Sequence, residues 1–304
     1  MIHVGIMGGE TPEAGELLRL LVFHPDVELV FVHSAEYAGL PVTEVHHGLY
    51  GDTELRFTHY LPLEEADLLF VCAVKGGLRE FLSTHELPRE LKVIDFGAEF
   101  RLPEAISEFE YGLPELNRRA TCHSRFVANP GALPTCVLLG LLPLAKHLLL
   151  PDRIEVRLND GLQTEERKNL STAELSEICA GLVRLQTSFS ATLQNEILPH
   201  SHSRVVSAML SLPVRVDIEE LKKMYEEYYA EDAFTWLMPS LPTEADVLNT
   251  NKCVVHLEKE GDLLTVRVYM DRWLKGASGQ ALHNMNLLFN LEESVGLKLK
   301  ASIV

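Results

Sequence analysis

Residues 127–136 read "VANPGALPTC". An apolar lead-in followed by Asn129-Pro130-Gly131 sets a tight turn ahead of a helix, whose first N–H groups point toward a ligand. A nucleophile belongs directly after such a glycine, and the residue there is Ala132. Cys136 lies four residues on, about 6 Å along a helix axis. An attacking atom must come within about 3.5 Å of its target, so Cys136 reads as a packing thiol. His200 and His202, in "LPHSHSRVV", are imidazoles placed to move protons, and each also suits a surface or packed position. A second cluster follows the amino-terminal apolar run. Gly8, Gly9 and Gly15 stand where a backbone must approach a phosphate closely. Between them are Glu10, Thr11, Pro12 and Glu13. Pro12 removes a donor, and a carboxylate about 4 Å from a phosphate charge costs a few kcal/mol in a partly screened site. The same carboxylates also suit the positive end of a helix.

The elements that must hold these residues alternate through the first half. "IHVGIMGG", "VELVFVHS", "ADLLFVCAV" and "LKVIDFG" read as buried strands, with the amphipathic "PEAGELLRLLVFH" and "GLREFLSTH" between them as helices. Strands separated by helices imply an α/β, doubly wound, Rossmann-like parallel sheet, with its nucleotide crevice at the first strand-to-helix turn. The second half differs. "RIEVRLND", "SRVVSAMLSLPVRV" and "NKCVVHLEKEGDLLTVRVYMD" read as strands, the last turning at Gly261. With the helix "IEELKKMYEEYYAED" they predict a second α+β domain on a mixed or antiparallel sheet. "SGQALHNMNLLFNLEESVG" predicts a long helix capped by Ser278 and stopped at Gly296. The boundaries expected are 1–132 with 278–304 for the nucleotide-type domain and 133–277 for the second.

Composition narrows the chemistry. The chain has 304 residues, 46% of them hydrophobic, and a net charge of −17. That field repels phosphate backbones and anionic membranes, so nucleic acid and membrane are not expected partners. "CVLLGLLPLAKHLLL" is interrupted by Pro143, Lys146 and His147 and reads as a buried helix rather than a span. The amino-terminal "MIHVGIMGG" lacks the pattern of a signal peptide. Five cysteines with no CxxC pair point to reduced thiols in a cytoplasmic protein without a metal site.

Several of these motifs resemble one family. "YGLPELN" at 111–117, "VANPGALPT" at 127–135 and "KGASGQALHNMNL" at 275–287 are similar to N-acetyl-γ-glutamyl-phosphate reductase, and "IDFGAEFRL" and "GIMGGETPEAGELLRLL" match it in outline. The resemblance implies NADPH as cofactor, a homo-oligomer, and reduction of an acyl phosphate to a semialdehyde. It implies a cysteine thiolate that displaces phosphate to form a thioester, hydride transfer, and a histidine acid–base partner. It places Arg101 and Asn129 near substrate, and Gly8, Gly9, Gly15, Ser34, Lys275, Gly276 and Asn284 near cofactor.

Three departures stand against that pattern. Ala132 occupies the cysteine's position. Residues 10–13 replace small residues at the phosphate turn. "VRLNDGLQTEERKNLSTAELSEI" replaces a glycine-rich segment and shortens the excursion after it. His200 and His202 are matched by location only. The expectation is therefore a family member whose reductase chemistry is lost or repurposed. The alternative is a working or residually working N-acetyl- or N-succinyl-γ-glutamyl-phosphate reductase.

Overall fold

The computed structural model describes residues 1–103, 108–161, 167–198 and 203–301. The chain divides into two compact units, Met1–Pro130 with Ala277–Leu297, and Gly131–Gly276 with Lys298–Val304.

The first unit runs β1 (Ile2–Met7), α1 (Pro12–Leu21), β2 (Val27–His33), β3 (Phe57–Thr58), β4 (Leu68–Val71), α2 (Leu78–Thr84), β5 (Lys92–Asp95), β6 (Phe109–Tyr111), α3 (Pro114–His123) and β7 (Phe126–Ala128). The strands lie in the order β3-β2-β1-β4-β5-β7-β6, every neighbouring pair parallel. The chain winds outward from β1 to one edge, then returns to β4 on the other side of β1. That reversal opens a crevice beyond the carboxyl ends of β1 and β4. Residues Leu68–Val71 of β4 are all buried, as expected of a strand covered on both faces.

The second unit contains α4 (Ala132–Lys146), β8 (Arg153–Asn159), α5 (Thr172–Val183), β9 (Thr192–Ile197), β10 (Val205–Pro213), α6 (Ile218–Tyr228), β11 (Thr235–Leu237), β12 (Cys253–Glu260) and β13 (Leu263–Asp271). Its sheet has the order β11-β12-β13-β10-β8-β9. The β11–β12 and β8–β9 pairs are parallel and the rest antiparallel, so the sheet is mixed. Helix α4 lies close on this sheet because Gly140 has no side chain; a Cβ there would stand 2.4 Å from Leu210 Cδ1. Pro143 inside α4 frees the carbonyl of Leu139. The Tyr229 hydroxyl donates to that carbonyl, and the Tyr225 hydroxyl donates to Gly140 O at 2.6 Å.

The chain returns to the first unit through one π-helical turn, Leu274–Ser278, and α7 (Gly279–Leu288). The long helix expected to Gly296 ends eight residues earlier. Asn290 takes a positive φ of 54°, and the Asn286 amide donates to the carbonyls of Glu293 and Val295 at 2.9 Å each. Ser278 caps nothing; its hydroxyl donates to Glu13 O at 2.7 Å. Gly296 serves a turn instead, where a Cβ would meet His24 at 2.6 Å. Among the described residues no helix is long and apolar enough to cross a membrane.

Candidate active site

In the first unit the phosphate turn follows β1. Gly8 has φ +75°, and a Cβ on it would meet Ala73 N at 2.4 Å, so only glycine fits. Thr11 then caps α1: its hydroxyl accepts from Ala14 N at 3.2 Å and donates to Gly8 O at 3.1 Å. Gly9 N–H donates to His33 O at 2.8 Å, and Thr11 N–H to Gly8 O at 3.3 Å. Three amides near the helix start (Gly9, Thr11 and Ala14) therefore already have protein partners, and Pro12 has none to offer. His46 closes over the turn, its Nε2 2.6 Å from Gly9 O. Gly15 makes room for that ring, because a Cβ would lie 2.5 Å from His46 Nδ1. Ser34 is buried beyond β2 and accepts from Tyr37 N. Beyond β1 and β2, Glu10 Oε2 and His33 Nδ1 are buried without partners. Cys72, just past β4, is pushed well above its ordinary pKa, first by burial and then by the Glu13 carboxylate.

A polar brace follows at the ends of β5 and β7. Asp95, 2% exposed, accepts from Gly97 N at 3.0 Å, and its backbone oxygen accepts from Asn129 N at 2.7 Å. Burial raises the Asp95 pKa to about 6. Arg101 Nε donates to Asn129 O and its Nη2 to Phe96 O, at 2.9 and 2.7 Å. The Asn129 amide donates to Ala277 O at 3.0 Å and its oxygen accepts from Asn284 at 3.2 Å. Asn284, fully buried, also donates to Gly112 O at 2.9 Å. Gly112 is a glycine for that reason, since a Cβ would stand 2.4 Å from Asn284 Nδ2. Asn284 thus ties the "YGLPELN" turn to the "VANPG" turn.

In the second unit Gly131 caps α4 and Ala132 is its first residue, both partly exposed. Gly276 packs directly on Ala132; a Cβ on Gly276 would lie 2.9 Å from the Ala132 methyl. Lys275, beside it, is fully buried. Cys136 is fully buried one turn deeper, directed at Val268 O, and burial pushes its thiol well above the ordinary range. It is neither placed nor ionised for attack. His200 and His202 lie outside the described residues.

Three features had escaped the sequence reading. Glu177 of α5, 4% exposed, accepts from Gly131 N at 2.8 Å and places a carboxylate at the amino end of α4. An acid directly ahead of the apolar run "ICAGLV" was the available signal. Asp271, fully buried at the end of β13, accepts from Asn249 N, Trp273 N, Leu274 N and Arg204 Nη2 at 2.9–3.1 Å, with Arg204 Nε 2.9 Å away as an ion pair. It shapes the turn that carries Lys275 and Gly276. The Glu10–His33 pair is the third, separated in sequence by a whole helix.

Residues 3–124 match the family model described as semialdehyde dehydrogenase, NAD binding domain. Aspartate semialdehyde dehydrogenase II of Vibrio cholerae has the same fold, with a TM-score of 0.72 at 16% identity over 95% of this chain and 99% of that one. The Candida albicans aspartate semialdehyde dehydrogenase solved with NADP gives 0.70 at 13% identity, over 95% and 98%. The chain therefore has the fold of these semialdehyde dehydrogenases, and its first unit matches their NAD-binding domain model. Sequence relatives narrow this. N-acetyl-gamma-glutamyl-phosphate reductase of Phocaeicola vulgatus is 47% identical over 322 aligned positions, covering 99% of both chains, and that of Bacteroides fragilis is 46% identical over the same share. The chain belongs to the N-acetyl-γ-glutamyl-phosphate reductase family. The alignment is longer than the 304 residues of the chain, so these relatives carry residues it lacks.

Proposed function

We propose that the chain reduces an N-acyl-γ-glutamyl phosphate to the semialdehyde with a reduced nicotinamide dinucleotide, at a rate held low by the missing thiol. The observation that carries this reading is the 47% identity across 99% of both chains to a reductase of that name. Relatedness of that extent favours a reductase over the lost or repurposed chemistry expected from the motifs alone.

The first unit fits a dinucleotide in outline. Gly8 and the amino end of α1 would face its phosphates, and the unpartnered Glu10 Oε2 and His33 Nδ1 are polar atoms that a ribose would satisfy. When bound, the reduced nicotinamide supplies hydride. The Arg101 guanidinium, held by two backbone carbonyls, would offer positive charge to a substrate carboxylate or phosphate. The amino end of α4 would favour charge developing on the carbonyl oxygen, weakened because Glu177 already takes the Gly131 N–H. A methyl group has no lone pair, so no thioester forms at Ala132 and the acyl group keeps its phosphate until it is reduced. The same reading makes the protein a cytoplasmic homo-oligomer handling a small molecule, with Asn284 shaping the cofactor side of the first unit.

A second reading, ligand binding without turnover, rests on Ala132 and on the inward-facing Cys136. One assay separates the two. Protein is mixed with N-acetyl- or N-succinyl-γ-glutamyl phosphate and reduced dinucleotide, and nucleotide oxidation is followed while the protein is weighed by mass spectrometry. Slow, protein-dependent oxidation with no acyl-protein adduct is expected. No oxidation above the buffer rate, from protein that still melts cooperatively, would remove the reductase reading and leave binding.

A further inference from the structure

The end of β2 is where a dinucleotide-binding sheet distinguishes a free ribose from a 2′-phosphorylated one. A carboxylate there takes the ribose hydroxyls, whereas a 2′-phosphate requires a cation. In this chain the turn Gly8–Glu13, the segment His33–Glu36 after β2 and His59-Tyr60 after β3 contain no lysine or arginine. They do contain Glu10, Glu13 and Glu36. Glu10 Oε2 is buried and lacks any hydrogen-bond partner, and so does His33 Nδ1. The two belong to adjacent parallel strands' carboxyl ends, where His33 pairs in register with Met7. Burial holds the His33 imidazole below its ordinary range, against the opposing field of Glu10, so at neutral pH it offers a phosphate no positive charge. Ser34, the first residue past β2, is buried, and its hydroxyl oxygen accepts from Tyr37 N. Arg56, the nearest basic residue in sequence to β3, donates to Gly39 O.

We propose that Glu10 is a specificity-determining residue, with His33 beside it, that accepts the adenosine ribose hydroxyls and turns away a 2′-phosphate, so that this chain takes NAD(H) in preference to NADP(H). The unpartnered Glu10 oxygen needs a donor, and a ribose hydroxyl is one. A phosphate dianion brings only acceptors to a carboxylate. The preference also assigns a use to a charge that the phosphate turn otherwise tolerates at a cost.

This inference rests on the dinucleotide reading above, and the test separates the two. Binding is measured by tryptophan fluorescence and by thermal shift, without substrate, using NADH, NADPH, ADP-ribose and 2′-phospho-ADP-ribose. NADH and ADP-ribose are expected to bind about tenfold more tightly than their 2′-phosphorylated counterparts, a difference of about 1.4 kcal/mol. Glu10→Gln should reduce that ratio at least severalfold, and Glu10→Arg should invert it. Circular dichroism melts show that each variant is folded. Equal or tighter binding of the 2′-phosphorylated ligands by the unaltered protein overturns the proposal, as does failure of all four to bind at millimolar concentration. Selective binding without turnover would leave this preference standing while sinking the reductase reading.

Discussion

Asp95 is a carboxylate without which the first unit would be more stable at neutral pH. Its Oδ2 is buried with no partner, and burial lifts its pKa from 3.8 to about 6, partly offset by the Gly97 N–H and by Arg101. A raised carboxyl pKa means that the folded state holds its proton more tightly than the unfolded chain does. The penalty is therefore absent below pH ~4, grows as pH rises toward ~6, and is constant above that. Asp95→Asn keeps the acceptor for Gly97 N and removes the charge. It should stabilise the protein by about 3 kcal/mol at pH 8 and by well under 1 kcal/mol at pH 4. Urea denaturation at both pH values checks this, and an equal effect at both would mean that the Asp95 pKa does not differ between the folded and unfolded protein. Ala132 is the converse of Asp95: a residue with no chemistry, packed against Gly276.

At the scale of elements, α7 and its tail carry the clearest linkage. Glu293 accepts from His283 Nε2 at 2.7 Å and lies 3.3 Å from Arg118, and the hydrogen bond to His283 is the main reason its pKa falls below the ordinary value. A depressed carboxyl pKa stabilises the fold at pH values above that of the unfolded group and is lost as pH falls through the folded one. Glu293→Gln should cost about 1–2 kcal/mol at pH 7, with the difference from the unaltered protein closing below pH ~4; melts across that range test it, and a pH-independent gap would point to lost packing instead. The same element marks the limit of the sequence. Periodicity carried β1, α1, β2, β4, β5, β10 and the β12–β13 hairpin, because each is long or continuously apolar. It overran α7, because Asn290 and the side chain of Asn286 end the helix by contacts that leave no periodic signal. It passed over β3, β6, β7 and β11, which are two or three residues long and exist only through their neighbours. For the site, the glycines and the Asn129, Asn284 and Gly112 turns were legible as motifs. Glu177, Asp271 and the Glu10–His33 pair were not, since each depends on partners brought together from distant positions. Glu10 in particular reads in sequence as a charge opposing the pyrophosphate; beside the end of β2 it meets the ribose side of the crevice.

The whole molecule sets the field in which any ligand arrives. With a net charge of −17 the chain repels anions at long range, and its proposed ligands, a dinucleotide and an acyl phosphate, are both anionic. Steering of this kind acts over the Debye length, about 30 Å at 0.01 M ionic strength and about 8 Å at 0.15 M. Enzymes that draw anions through a basic funnel lose association rate as salt is added. Here the opposite is expected, because salt screens repulsion rather than attraction. No run of lysine or arginine in the phosphate turn or after β2 reverses the sign locally, and Glu10, Glu13 and Glu36 reinforce it. The association rate constant for NADH, measured by stopped-flow fluorescence, should therefore rise severalfold between those two ionic strengths, with a smaller change in the dissociation rate. The Arg101 guanidinium, bound to two carbonyl oxygens, would act only at contact distance. A rate constant that falls with added salt would reveal a basic approach path stronger than the global charge, and the crevice would then be a poor place to expect discrimination against a 2′-phosphate.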